Sequence, residues 1–443
     1  MKLLKSIPCD CGREHKTEIS EVISCRGAIE KLPETLKKMG CSSPFMLCDS
    51  NTLRAAGERI AKILANAKIY GTYYLPDTLS ADEASTGNVL MHFVGSNHNK
   101  KHDCIIAVGS GTIGDICKII ASATAVPLIT VATAPSMDGF ASATSSMERN
   151  GVKVSVNTKC ADVIIGDHDI LAAAPLDLRL SGLGDMIAKY ISIAEWQISN
   201  LINGEYYCEK IAQMIKNALQ DCIDHAKGLI EGDPTSAGAV FDGLVLAGAA
   251  MAYAGCSRPA SGVEHYFSHV WDMRGLEFGT PVSTHGFQCC VGTVLAAKVY
   301  DMLRGYTPNR EKATAELEKF DYEKYKDQLR ALIGKGSKQM IMLEEEFEHK
   351  YNAEKCIARL DRIIEKWDEI LEIIKSIPTE KELLSLLEDI GAPTSLSHIG
   401  IDGENVGDVF EATRDIRDKY VLSRLIFDLG LTQEAKNILT AKE

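Results

Sequence analysis

The sequence predicts an α/β N-terminal domain on a parallel sheet, followed by an all-α C-terminal domain. Three observations predict it. Short apolar runs alternate with helical stretches through the first part of the chain, the pattern of βαβ units. Strand signals stop after about Pro175, and from Gly182 onward apolar positions recur at helical spacing. At 443 residues the chain is too long for one ordinary core. The expected division is 1–177 and 178–443.

Pro44 to Cys48 is a short apolar run ending at Asp49 and reads as a strand. Lys68 to Leu75, Asp103 to Val108 and Pro127 to Thr133 read the same way, with a helix over Asp115 to Ala125 between the last two. Val152 to Val156 and Ala161 to Ile165 are expected to pair as a hairpin closing the region. Ser236 to Gly255 is rich in Ala and Gly and carries Asp242, so it reads as a tightly packed buried helix and not a membrane span. Arg310 to Lys375 is amphipathic, and its charges describe a solvated face. Ile377-Pro378-Thr379-Glu380 starts another helix, and Gly391-Ala392-Pro393 stops it. There are no internal repeats.

Apolar residues make up 45% of the chain and charged residues 25%, an ordinary globular composition. The formal net charge of −13 excludes the basic footprint that nucleic-acid binding needs. The first eight residues lack the apolar run of a signal peptide, and the 14 cysteines are scattered. A cytoplasmic protein with reduced thiols, no membrane insertion and no nucleic-acid partner is expected. Cys9, Cys11 and His15 offer three potential metal ligands, with no fourth evident in the sequence.

The chemistry begins at Gly109-Ser110-Gly111-Thr112-Ile113-Gly114-Asp115, between a strand and a helix. Glycines there let the backbone approach a pyrophosphate, and the helix N-terminus presents unpaired N–H groups and a positive dipole end. The motif departs from the usual dinucleotide fingerprint, since no acid ends the next strand, and Asp49 is the available ribose partner. A tight turn without a ligand is the plain alternative. The following loop, Thr133-Ala134-Pro135-Ser136-Met137-Asp138-Gly139-Phe140-Ala141-Ser142, leaves the C-terminal end of a strand. That is where ligands bind in open α/β sheets, although Asp138-Gly139 is also a common turn pair.

In Ser261-Gly262-Val263-Glu264-His265-Tyr266-Phe267-Ser268-His269, His265 and His269 share a helix face. Ser261 and Glu264 read as a capping box opening that helix. His285 follows within Thr284-His285-Gly286. Asp185, in Leu180-Ser181-Gly182-Leu183-Gly184-Asp185, is expected in the first turn of a helix. With His265 and His285 it would complete three protein ligands and leave an open position, as catalytic metal sites do.

In this order, the segments GSGTIGD, TAPSMDGFAS, GLGDMIAK, SGVEHYFSH and THG resemble the sn-glycerol-1-phosphate dehydrogenase family of the iron-containing alcohol dehydrogenase and dehydroquinate synthase-like group. The resemblance covers about Phe45 to Gly292, and the tail more loosely. It implies a Rossmann-like sheet domain, a helical metal- and substrate-binding domain, and an active site in the cleft between them. It implies Asp185, His265 and His285 as metal ligands and Asp138, Asp185 and His269 as catalytic residues. The pyrophosphate would lie on Gly111, Thr112, Ile113, Gly114 and Asp115. Thr133, Ala134, Pro135, Ser136 and Ser142 would line the nicotinamide, with Asp49 facing the adenosine ribose. The implied reaction is reversible reduction of dihydroxyacetone phosphate by NADH or NADPH to sn-glycerol 1-phosphate. Zn²⁺ is the first expectation for the metal, with Ni²⁺ and Fe²⁺ as alternatives, and the enzyme is expected as a homo-oligomer. The rivals are a glycerol or polyol dehydrogenase of the same fold, a dehydroquinate synthase-like lyase, and a non-enzymatic binding module. Candidate phosphate-binding cations are Lys153, Lys159, Lys189 and Arg258.

Overall fold

A computed structural model describes residues 3, 5–69, 71–76, 79–95 and 101–441. Met1, Lys2 and Leu4 of the N-terminal segment, and Tyr70 of the expected strand Lys68 to Leu75, lie outside the described residues. Among the described residues, ten strands occur in order: β1 Ser6–Ile7, β2 His15–Lys16, β3 Glu21–Cys25, β4 Pro44–Leu47, β5 Thr72–Tyr74, β6 Cys104–Val108, β7 Leu128–Ala132, β8 Thr144–Arg149, β9 Val152–Asn157 and β10 Val163–Asp167. Six of the helices position the candidate site residues and the core around them: α1 Gly111–Thr124, α2 Leu176–Ile187, α3 Lys189–Asn203, α4 Pro234–Ala254, α5 Val263–Phe278 and α6 His285–Leu303.

The central sheet has the order β3-β10-β7-β6-β4-β5, with every pairing parallel. All residues of β4, β6, β7 and β10 are buried, so these strands are largely apolar and do not alternate. After β4 the chain adds β5 on one side and then β6 on the other. That reversal opens a crevice beyond the carboxyl ends of β4 and β6, the usual ligand position in such sheets. Asp49 follows β4, and the GSGTIGD turn follows β6.

The expected hairpin between 152–156 and 161–165 does not form. β9 pairs antiparallel with β8, and β10 enters the central sheet between β3 and β7. Asn150 and Gly151 both have positive φ, 54° and 74°, which suits the tight turn whose twist matches paired strands. The run Val-Ile-Ile-Gly-Asp of β10 has no polar face to offer solvent, so it belongs inside a sheet covered on both sides.

The chain groups into two compact units. One comprises Met1–Met186 with Gln213–Cys256, and the other Ile187–Ala212 with Ser257–Glu443. The first unit thus gathers residues from both sides of the boundary expected near 177. Its core includes Ile29, Leu36, Met46, Ile106, Ile129 and Ile165. The second unit is helical and has its own core, including Ile191, Phe267, Val299, Ile370 and Leu425.

Helix α4 is the stretch expected to be buried. It is long and apolar enough to cross a membrane, yet 72% of its most apolar window lies inside the protein. Pro234 at its first turn, the Asp233 side chain accepting from Ser236 N–H at 2.8 Å, and Gly255 at φ 67° fix its ends.

Candidate active site

The nucleotide side lies in the first unit. Ser110 caps α1 with no side-chain bond to the helix, so the first N–H groups of α1 stay available to an anion. A β-carbon on Gly111 would meet nothing nearer than Met137 Cγ at 4.0 Å, and one on Gly114 nothing within 4 Å, so the floor of the turn is open. Asp115 pairs with the buried Lys118 at 2.8 Å, and Lys118 also donates to Gly139 O and Thr144 O. One buried ammonium therefore ties the GSGTIGD turn to the 133–142 loop. Ser110, Gly111, Gly114, Met137 and Gly139 line a small cavity between them.

The 133–142 loop is strapped to α2. Ser181 Oγ donates to Ser136 O at 3.1 Å, and Asp138 N–H donates to Asp185 Oδ2 at 2.8 Å. Gly182 lies so close to the loop that a β-carbon would fall 1.7 Å from Pro135 O. Thr133, Ala134, Pro135, Ser136 and Asp138 are buried. Ser142 is also buried, and its hydroxyl engages Thr144 at 2.9 Å. Asp49 caps the short helix after β4, with Oδ1 accepting from Asn51 and Thr52 N–H and Thr52 Oγ1 accepting from Asp49 N–H. One of its oxygens is thus spent on the capping box.

Asp185 is not in a first turn. Pro175 precedes a helix that already starts at Leu176, which places Asp185 close to its C-terminal end. The helix dipole opposes an acid there. The fully buried carboxylate is instead met by the Asp138 N–H.

The histidines lie in the second unit. His265 is buried in α5, and its Nδ1 pairs with Glu264 Oε1 at 2.8 Å. That leaves Nε2 as the ligand nitrogen. His285 opens α6, its ring centroid 5.1 Å from that of His265, and Ser268 Oγ lies 3.3 Å from its Nδ1. Gln288 bonds both Ser268 and Asp272, which fixes the hydroxyl. Half-buried His269 lies one turn beyond His265, against Tyr266.

The sequence reading missed Cys289. Its Sγ lies 3.6 Å from His285 Nε2, and one ligand atom from each of His265, His285 and Cys289 falls within 4.8 Å of the others. Burial raises the thiol, but the two imidazoles outweigh that and hold it below its ordinary value. Its spacing of four from His285 on one helix was the available signal.

The expected capping box is also different. Gly262 is the cap, and Glu264 Oε1 accepts from Gly262 N–H at 2.6 Å. Ser261 instead bonds Lys419 and Ser257 O. Glu264 therefore serves both the helix start and the His265 ring. Beneath it lies Glu195 of α3, accepting from Val263 and Leu422 N–H. Burial first, and then the charge of Glu264, push Glu195 up to about 8.

Three of the candidate phosphate cations are committed to structure. Arg258 is buried against Glu205 and Tyr420 O, and Lys189 against Ala260 O. Lys159 bonds Val126 O and Asp162.

A glycerol-1-phosphate dehydrogenase [NAD(P)+] of Bacillus velezensis is 34% identical over 280 residues, covering 63% of this chain and 71% of that one. The chain belongs to the glycerol-1-phosphate dehydrogenase family. The family's enzyme from Halalkalibacterium halodurans is 29% identical over 420 residues, which is 94% of each chain. Residues 23–175 also match the family model described as iron-containing alcohol dehydrogenase. Among solved structures, a probable glycerol dehydrogenase of Sinorhizobium meliloti matches with a TM-score of 0.60 at 15% identity, over 95% of this chain and 97% of that one. That likeness shows the fold: a parallel central sheet followed by a helical region, as in iron-containing alcohol dehydrogenases and dehydroquinate synthases. Membership makes the chain an NAD(P)-dependent oxidoreductase with a divalent metal.

Proposed function

We propose that this chain catalyses the reversible NAD(P)H-linked reduction of dihydroxyacetone phosphate to sn-glycerol 1-phosphate. The observation that carries it is the near end-to-end match to a glycerol-1-phosphate dehydrogenase, in a chain that retains the GSGTIGD turn and the oriented His265 and His285 pair. Asp185, His265 and His285 are the proposed metal ligands. Their chemistry suits a borderline divalent ion: one carboxylate, and imidazoles of which one is held by a carboxylate on its far nitrogen. Such an ion, when bound, supplies Lewis-acid stabilisation of the ketone oxygen, and the nicotinamide supplies the hydride.

The chain's own residues position and shield. The N–H groups at the start of α1 hold the pyrophosphate, and the 133–142 loop, strapped by Ser181 and Asp185, orients the nicotinamide. Asp138 and His269 contact the substrate. His269 relays the proton to the product hydroxyl, because an imidazole titrates near neutrality. Zn²⁺ is the first choice of metal and Ni²⁺ or Fe²⁺ the alternatives, since affinity order alone does not select among them.

The test is NADH oxidation with dihydroxyacetone phosphate and, separately, dihydroxyacetone, before and after chelation and restoration with each metal. Metal-dependent turnover of the phosphate ester to the sn-1 isomer is expected. Turnover of the free ketone alone would make the chain a polyol dehydrogenase. For His269→Ala, an unchanged turnover and pH profile would remove the relay.

A further inference from the structure

The N-terminal hairpin, in the first unit, carries metal-ligating side chains other than the proposed catalytic ones. β1 and β2 are only two residues each and pair antiparallel, Ile7 opposite His15. Their connecting loop carries Cys9 and Cys11, and Gly12 at φ 84° turns it back. Cys11 Sγ lies 3.2 Å from His15 Nε2, and one ligand atom from each of Cys9, Cys11 and His15 falls within 4.8 Å of the others.

His15 is fully buried, and its Nδ1 meets Tyr253 O, at the end of α4, at 2.8 Å. A backbone carbonyl on Nδ1 fixes that nitrogen as the protonated one and turns the Nε2 lone pair toward the thiols. This is how proteins orient imidazole ligands. Zn–S and Zn–N bonds of about 2.3 and 2.0 Å at a tetrahedral angle put sulfur and nitrogen about 3.5 Å apart, close to the observed separation. Two-residue strands have too few ladder bonds to persist unaided. A metal closing the loop would supply what the pairing lacks.

We propose that Cys9, Cys11 and His15 bind a structural Zn²⁺ that pins this hairpin to the C-terminal end of α4. Binding releases two thiol protons to solvent, while His15 coordinates as the neutral imidazole. The two thiolates select a borderline or soft ion over Mg²⁺ or Ca²⁺.

The test uses the full chain and separates this ion from any catalytic one. In His265→Ala/His285→Ala, metal analysis of protein purified from zinc-supplemented cells should still find about one zinc per chain. The zinc X-ray absorption of that variant should show at least two sulfurs at about 2.3 Å. Adding Cys9→Ser/Cys11→Ser to that background should remove the zinc. His15→Gln alone in the wild-type background, should the multiple variants not fold, should lower the count by about one per chain. A folded His265→Ala/His285→Ala protein without zinc, or a shell without sulfur, would overturn the site. So would an unchanged count in His15→Gln. A catalytic reading that fails leaves these outcomes unaffected, because the first variant already lacks the catalytic histidines.

Discussion

Glu264→Ala tests how the catalytic imidazoles are held. Glu264 Oε1 is the acceptor for both His265 Nδ1 at 2.8 Å and Gly262 N–H at 2.6 Å. Without it, His265 can rotate and exchange tautomers, so Nε2 is no longer held as the ligand. Carboxylates placed behind a ligating imidazole are worth about 10–100-fold in metal affinity. That corresponds to about 1.4–2.8 kcal/mol at 1.4 kcal/mol per decade. Two buried donors also lose their acceptor, at about 1–3 kcal/mol each. Glu195 loses a like-charged neighbour, which offsets part of that. The expected outcome is a metal Kd raised about 10–100-fold, measured on stripped protein by competition with a chromophoric chelator. Activity should fall at limiting metal and recover largely at saturating metal, and a thermal melt separates unfolding from loss of affinity. A Kd within about twofold of wild type in a folded, destabilised variant would make Glu264 a packing residue and refute the argument.

Three further outcomes are expected. Gly111→Ala should leave the melting temperature unchanged, because its β-carbon has space, yet raise KM for NADH about tenfold if the pyrophosphate lies on the turn; equal KM would move the nucleotide elsewhere. Gly182→Ala puts a β-carbon 1.7 Å from Pro135 O, so the 133–136 loop must shift. One to two orders of magnitude should be lost in kcat/KM for NADH, and an unaltered value in folded protein would separate that loop from the cofactor. Glu195 is raised from an ordinary 4.5 to about 8, so between those values the unfolded chain binds fewer protons and stability falls as pH rises. Glu195→Gln stays neutral and should flatten that fall across urea melts at pH 5 to 9; an identical slope would mean Glu195 is already ionised in the fold.

Much of this was legible in the sequence, and the misses have physical causes. The strands at Pro44, Asp103 and Pro127 were readable because buried parallel strands are continuous apolar runs. The Val163–Asp167 strand has the same composition, and the hairpin reading failed there because it paired neighbours in sequence. Asn150-Gly151, just ahead of Val152–Asn157, carried the correct turn signal. Asp185 was misplaced within its helix because the eye stops at the glycines of Gly182-Leu183-Gly184, whereas Pro175 sets the start. The histidines were visible by spacing. Their supports were less so: Glu264 resembled a capping residue and does reach the helix start, and nothing in a sequence says that the same oxygen also holds His265. Glu195 comes from a helix nearly seventy residues earlier, and no local pattern points to such a partner.

The two-segment make-up of each compact unit sets an order of events during synthesis. The sheet unit lacks α4 until residue 254 has left the ribosome, yet α4 packs on β3, β10 and the 138–141 turn. Residues 187–212, already extruded by then, belong to a unit whose remainder starts only at Ser257. Neither unit can mature as an early, self-sufficient domain in the usual N-to-C sequence. A chain cut at 177 would present a bare apolar sheet face, and chaperone capture or aggregation is the expected fate of such a fragment. The two halves are committed to completing together.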